Sequence, residues 1–219
     1  MYKVNDQSIK SFLRSRSKLS RLLIHWGGQG FFNMDNGERN FKIALELSGI
    51  SILGWMFRNF FSTRIAILLA IITTHSLNFL FNAHPWVVLK HFGIGYYDEN
   101  GLMAYTADIA KRAEQCPAIL GAGVWGGFAR KSQSETSDVD IRLIRRAGFF
   151  NTIQGSWFLL TERSRANWYR FPLDAYLLDE MSSLSRLNST EIPLLLCDNE
   201  GVLQKRYPTA IFLASIGDQ

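Results

Sequence analysis

Asp138 and Asp140 stand one residue apart in SDVDIRLI, a stretch whose alternation of polar and apolar residues reads as a β-strand. Residues two apart in a strand share a face, so the two carboxylates point one way and Val139 and Ile141 the other. Like charges this close repel unless a cation lies between them. Magnesium is the natural cation, because it takes hard oxygen ligands and keeps positions for substrate phosphates. Gly126 and Gly127, ending the preceding apolar run, are the second element of the pattern. Without side chains, their backbone N–H groups, and those of a short helix behind them, can approach a triphosphate closely. The alternative, a strand-end aspartate pair without metal, leaves the like-charge cost uncompensated.

Four strands are needed to hold these groups, and four runs fit them: residues 118–125, 138–145, 172–179 and 193–198. Residues 98–101 read as a loop and 102–115 as a helix with Leu102, Tyr105, Ile109 and Ala113 inward. Residues 149–165 have helical length, and Asp179 and Glu180 fit the acidic first turn of another helix. Trp157, Phe158, Trp168, Tyr169 and Phe171 are expected in the core. The order is α+β, built over one small mixed sheet with flanking helices.

Gly126-Gly127, a gap, and then Ser137-Asp138-Val139-Asp140 followed by apolar residues resembles the nucleotidyltransferase superfamily of DNA polymerase beta. The minimal nucleotidyltransferases and the aminoglycoside adenylyltransferases are its most similar members. The resemblance covers residues 101–208, about half the chain, and implies the nucleotidyltransferase fold. It implies a third carboxylate, Asp174 in FPLDAYLLD, and two magnesium ions held by Asp138, Asp140 and Asp174, with Asp174 completing one metal shell or acting as base. It also implies nucleotide binding by Gly126, Gly127, Arg130 and Ser137, with Lys131 beside phosphate or in solvent. A nucleoside triphosphate, ATP or CTP first among the candidates, would give up a nucleoside monophosphate to an acceptor. The chain departs from the family pattern at Gly127, often serine there, and at Lys131, where small members often carry glycine.

With 219 residues, 47% hydrophobic and 20% charged, the chain is long enough and apolar enough for a real core. The N-terminal region, 1–95, has no place in the minimal family and is expected to be helical and membrane-associated, leaving 96–219 as the nucleotidyltransferase domain. Residues 8–25 suggest a basic amphipathic helix, and residues 27–40 a loop. The run 65–89 has no Asp, Glu, Lys or Arg and is long enough to span a bilayer. His75, Asn78 and Asn82 form one polar stripe along it, and Pro85 ends it. A core helix of a soluble domain is the other reading. Nucleotide chemistry and the positive-inside rule put both ends in the cytoplasm. A helical hairpin of 41–61 and 65–89, dipping in or lying in the interface, satisfies this better than two full spans, because Arg58, Asn59 and Arg64 stand near its bend.

Cys116 and Cys197 lie in no metal or redox spacing, which fits a reducing cytoplasm. The expected partners are a nucleoside triphosphate, an acceptor the sequence does not identify, and a membrane surface or integral membrane protein; homo-oligomerisation stays open. No obvious further domain is read in these residues to grip a polynucleotide, which argues against a nucleic-acid enzyme. The competing class is a non-catalytic nucleotide-sensing or partner-docking module.

Overall fold

The alternation around Asp140 is realised as the second strand of a mixed sheet. The computed structural model describes residues 18–83, 85–89, 99–130, 132, 138–187 and 191–216. Its strands are β1 (Ile119–Trp125), β2 (Val139–Arg145), β3 (Leu173–Leu178) and β4 (Leu194–Asp198), in the spatial order β3-β2-β1-β4. β1 runs antiparallel to both β2 and β4, while β3 is parallel to β2. Helices α1 (Lys18–Gly28), α2 (Asn36–Phe57), α3 (Thr63–Asn82), α4 (Pro85–Leu89) and α5 (Glu99–Glu114) precede the sheet. α6 (Gly126–Ala129) follows β1, α7 (Phe149–Trp168) crosses from β2 to β3, and α8 (Val202–Arg206) follows β4. The coarse α+β class is as read from the sequence.

Period-two patterning divides the sheet. Val139, Ile141, Leu143, Leu173, Ala175 and Leu177 join the main core with residues of α5 and α7. The opposite face carries Asp140, Arg142 and Ile144 on β2, and Asp174, Tyr176 and Leu178 on β3. Elsewhere that face is apolar: Ile144 and Leu178 belong to a second buried cluster with Trp125, Leu184, Leu195 and Leu203. The end where β2 and β3 begin is polar. Leu102, Ile109 and Ala113 are buried as expected, and a two-pronged ion pair from Arg112 Nε and Nη2 to Glu162, 2.8 Å each, clamps α5 to α7.

Local corrections follow from side chains finding distant partners. Helix α5 begins at Glu99, inside the expected loop, and α2 begins at Asn36, inside another. Helix α3 stops at Asn82, just before Pro85, as expected, and Pro85 starts the short helix α4, the first-turn position where its missing N–H costs nothing. Asp179 is no helix-start acid: its Oδ1 accepts from Arg145 Nε at 2.9 Å and its Oδ2 from the Gly37 N–H at 2.9 Å. Of the five aromatics expected in the core, Phe171 is buried and Phe158 packs at its margin, but Trp157, Trp168 and Tyr169 are exposed. Of the expected basic helix, residues 8–17 lie outside the described residues.

β3 is an edge strand, and exposed edges invite unwanted pairing. Here side chains take the place of a fifth strand. Glu38 Oε2 accepts the Leu177 N–H at 2.9 Å, and Asp35 Oδ2 accepts the Asp179 N–H at 2.8 Å. Arg163 Nη2 donates to the Ala175 carbonyl at 2.5 Å and meets Glu38 Oε1 at 2.8 Å, with both side chains buried. Arg163 Nη1 also reaches Asn82 Oδ1 at 3.1 Å. The start of α2 is thereby fixed to the sheet, and α3 to α7.

In the hairpin of helices α2 and α3, Glu46 meets two members of the polar stripe. His75 Nδ1 lies 2.6 Å from Glu46 Oε1, and Asn78 Nδ2 donates to Glu46 Oε2 at 3.2 Å. The last carbonyls of α3, orphans in any helix, accept from neighbouring elements: Leu80 from Asn167, Phe81 from Ser164 and Asn82 from Lys42. Burial, then the nearby Arg163 charge, pushes the Lys42 ammonium pKa down to about 7. Beyond these anchors the hairpin is apolar outward, with Trp55 71% and Phe60 79% exposed. Among the described residues, α3 is the helix long and apolar enough to cross a membrane by length and composition.

Candidate functional site

Parallel pairing sets Asp140 directly opposite Asp174, and antiparallel pairing sets Trp125, the residue before Gly126, opposite Asp140. The start of β2, the start of β3 and the end of β1 therefore meet at one corner of the polar face. Asp138 stands immediately before β2, half-buried. Burial first, then the charges of Asp174 and Asp138, pushes the Asp140 carboxyl pKa up to about 8, and it hydrogen-bonds to Asp174. This is the expected behaviour of carboxylates crowded without full compensation.

Gly126 is required by geometry. Its φ of +78° lies in the left-handed region, and a Cβ there would stand 2.5 Å from Asp140 Oδ2. Gly126→Ala is expected to cost about 1 to 3 kcal/mol in strain, read by denaturant unfolding, and to displace the Asp140 carboxylate. The Gly126 N–H already grips an anion: Glu191 Oε1 accepts it at 2.7 Å and also pairs with Arg130 Nη1. Gly127 sits in α6, where its carbonyl accepts the Ser132 N–H at 2.9 Å. Ser137 and Lys131 lie outside the described residues.

Three participants were not read from the sequence. Arg142, next on the polar face after Asp140, places Nη2 at 3.4 Å from Asp174 Oδ2 and 3.8 Å from Asp140 Oδ1. Its guanidinium stacks 4.9 Å from the centre of the Tyr176 ring. Both residues continue the period-two pattern begun by Asp138 and Asp174, which is the signal that could have found them. Tyr176 is buried, its hydroxyl within 3.5 Å of Asn33 Nδ2, and burial together with Asp174 raises its pKa. Glu191 left no signal, because it precedes β4 by sequence and reaches the corner only through the fold.

Among the described residues, no group of three or more His, Cys, Asp and Glu side chains is drawn together closely enough to hold a metal ion. The side chains of Asp138, Asp140 and Asp174 carry oxygens of the kind magnesium takes, and the raised Asp140 pKa reflects negative charge that its surroundings do not fully compensate. Compared with protein-family models, curated proteins and solved structures, the chain matches none.

The Glu191 contact leads to a simple test. If that carboxylate stands where a phosphate belongs, Glu191→Gln keeps the acceptor but removes the charge. An ionised hydrogen bond being roughly twice as strong as a neutral one, displacement should become easier by about 1 kcal/mol, roughly fivefold in affinity. Calorimetric titration with magnesium and a non-hydrolysable ATP analogue measures it.

Proposed function

We propose that the chain is a metal-dependent nucleotidyltransferase: the acceptor's hydroxyl or phosphate oxygen bonds to the α-phosphorus of an NTP, the bond to the β-phosphate breaks, and pyrophosphate leaves. The observation that carries this reading is Asp140, set opposite Asp174 and two residues from Asp138, beside a glycine whose N–H, with Arg130, already holds a carboxylate as it would hold a phosphate. Magnesium held by the three aspartates would neutralise phosphate charge and acidify the acceptor hydroxyl. Gly126 and Arg130 bind and orient the phosphates once Glu191 has withdrawn. Asp138 and Asp140 would hold the reacting end of the nucleotide through the bound ion, while Asp174 would complete the ion's shell or take the acceptor's proton. Arg142 keeps Asp140 and Asp174 in register with each other.

The exposed apolar surface of the α2–α3 hairpin supports work at the cytoplasmic face of the membrane. Work at a membrane face would suit an acceptor in surface-glycan or lipid-linked assembly. A second reading, a nucleotide-sensing or partner-docking module without turnover, is favoured by one contact: Arg142 spans Asp140 and Asp174 and partly neutralises them without a metal.

The experiment uses full-length protein in mild detergent, magnesium, each labelled NTP in turn, and total lipid or soluble metabolite extracts as acceptor source. Transfer by wild type and none by Asp138→Asn supports the enzyme. Magnesium-dependent nucleotide binding without transfer to either extract supports the module.

A further inference from the structure

We propose that the α2–α3 hairpin lies along the plane of one leaflet of an anionic bilayer, submerged between its two polar ends, and does not enter tip first. The seam between the helices is made by small residues: Gly49 faces Thr74, and Gly54 faces Ala70. The large side chains point away from it. Leu47, Ile52 and Trp55 on α2, and Ile67, Leu68 and Ile72 on α3, are all exposed. At 3.6 residues per turn, each trio spreads over about 140° of its helix. A helix pair made for water does the reverse and turns its large apolar residues inward. Small residues in the seam with an apolar exterior is the pattern of helices packed in lipid. A second copy or a partner helix docked on one flank would leave the other bare, whereas lipid covers both. Ser51, exposed in the same region, returns its hydroxyl to the Leu47 carbonyl at 2.8 Å, so it does not depend on water.

Length and charge fix the orientation. From the Glu46–His75 contact at the base to the bend, α2 contributes residues 47–57 and α3 residues 63–74, about 16 to 18 Å at the α-helical rise. The hydrocarbon core is about 30 Å thick. An upright hairpin would therefore leave the exposed Arg58, Asn59 and Arg64 near the bilayer centre, where charge is costly. Lying along the leaflet, the bend and the base reach the headgroups together. From Leu47 to Asn82 the sequence has no Asp, Glu or Lys, and its two arginines, Arg58 and Arg64, flank the bend. Long enough to snorkel, they complement the phosphates of anionic lipid.

This inference rests on the membrane placement proposed above and is independent of the nucleotide chemistry. The test dilutes full-length protein from mild detergent onto preformed phosphatidylcholine vesicles, with or without phosphatidylglycerol. Cys116 and Cys197 are buried, so Asn59→Cys and Leu68→Cys each add one accessible thiol for a membrane-impermeant maleimide. Asn59→Cys should label from outside the vesicles and not from reagent trapped within, and Leu68→Cys should be protected from both. Arg58→Gln/Arg64→Gln should lose about thirtyfold in affinity for the anionic vesicles and little for the neutral ones. Asn59→Cys labelled from inside, as in a full crossing, or from neither side, as in an upright hairpin, overturns the in-plane arrangement and leaves the membrane placement standing. An unaffected arginine variant overturns the anionic preference. Failure to float with either vesicle, or Leu68→Cys labelling as fast as Asn59→Cys, overturns the membrane placement as well; a chain then dimeric by light scattering would have a second copy on the hairpin.

Discussion

Asp140→Asn is expected to leave the protein inactive and more stable at the same time. If the corner binds magnesium as proposed, removing one of the carboxylates that would hold the ion lowers turnover by about a hundredfold or more, measured as label transfer from NTP. The stability gain comes from the same residue, because Asp140 crowds Asp174 and Asp138 in a half-desolvated corner. Relaxing such functional strain commonly returns about 0.5 to 2 kcal/mol, read as a higher midpoint of thermal unfolding. A purely structural aspartate would behave in the opposite way and lose stability.

The pH dependence follows with a definite sign. The Asp140 pKa is raised from 3.8 to about 8, so between those values the folded chain holds a proton that the unfolded chain has released. Its contribution to stability is complete below pH 3.8 and is lost as pH rises toward 8. Lys42, lowered from 10.5 to about 7, acts in the opposite direction: the unfolded chain binds the extra proton, and stability rises with pH above 7. In chelator between pH 5 and 7, wild type should therefore lose stability through Asp140 as pH rises, and Asp140→Asn should lose less.

The second large effect lies away from the corner. Glu38→Leu should cost about 3 to 5 kcal/mol, because it strands the Arg163 guanidinium in the interior. Arg163→Met should cost a similar amount by stranding Glu38. The double variant should lose clearly less than the sum, since no buried charge remains unpaired. It will not return to wild type, because the Leu177 N–H and the Ala175 carbonyl lose their partners, at about 1 to 3 kcal/mol each. Additive losses in denaturant unfolding of the three variants would count against Glu38 and Arg163 acting as one unit.

The strands were legible because their signal is local. Val139, Ile141 and Leu143 face the core, and Asp140 and Arg142 do not, as period two demands. The corner was legible in part for the same reason: spacing pairs Asp138 with Asp140, the family resemblance named Asp174, and the sheet register then sets Asp174 opposite Asp140. Glu191 and Asn33 could not be found this way, since nothing near them in sequence reports the distant residues they meet. The misplaced aromatics have a related cause. Trp157 and Trp168 lie on a helix that packs by other faces, through Leu159, Arg163 and Ala166. A polar, charged position can win burial when a partner waits for it, as Arg163 does with Glu38, and hydropathy does not register such a partner.

The side-chain covering of β3 also bears on the order in which the molecule can be completed. The bonds from Glu38 to Leu177 and from Asp35 to Asp179 join residues 139 and 144 positions apart. Contacts of such long sequence separation form late and slow folding. During synthesis the apolar hairpin emerges first, with Asp35 and Glu38 waiting for a strand that is made much later. A chain cut before residue 99 would keep the aspartate corner but bare the edge of its last parallel strand, and aggregation through that edge is the expected fate of such a fragment.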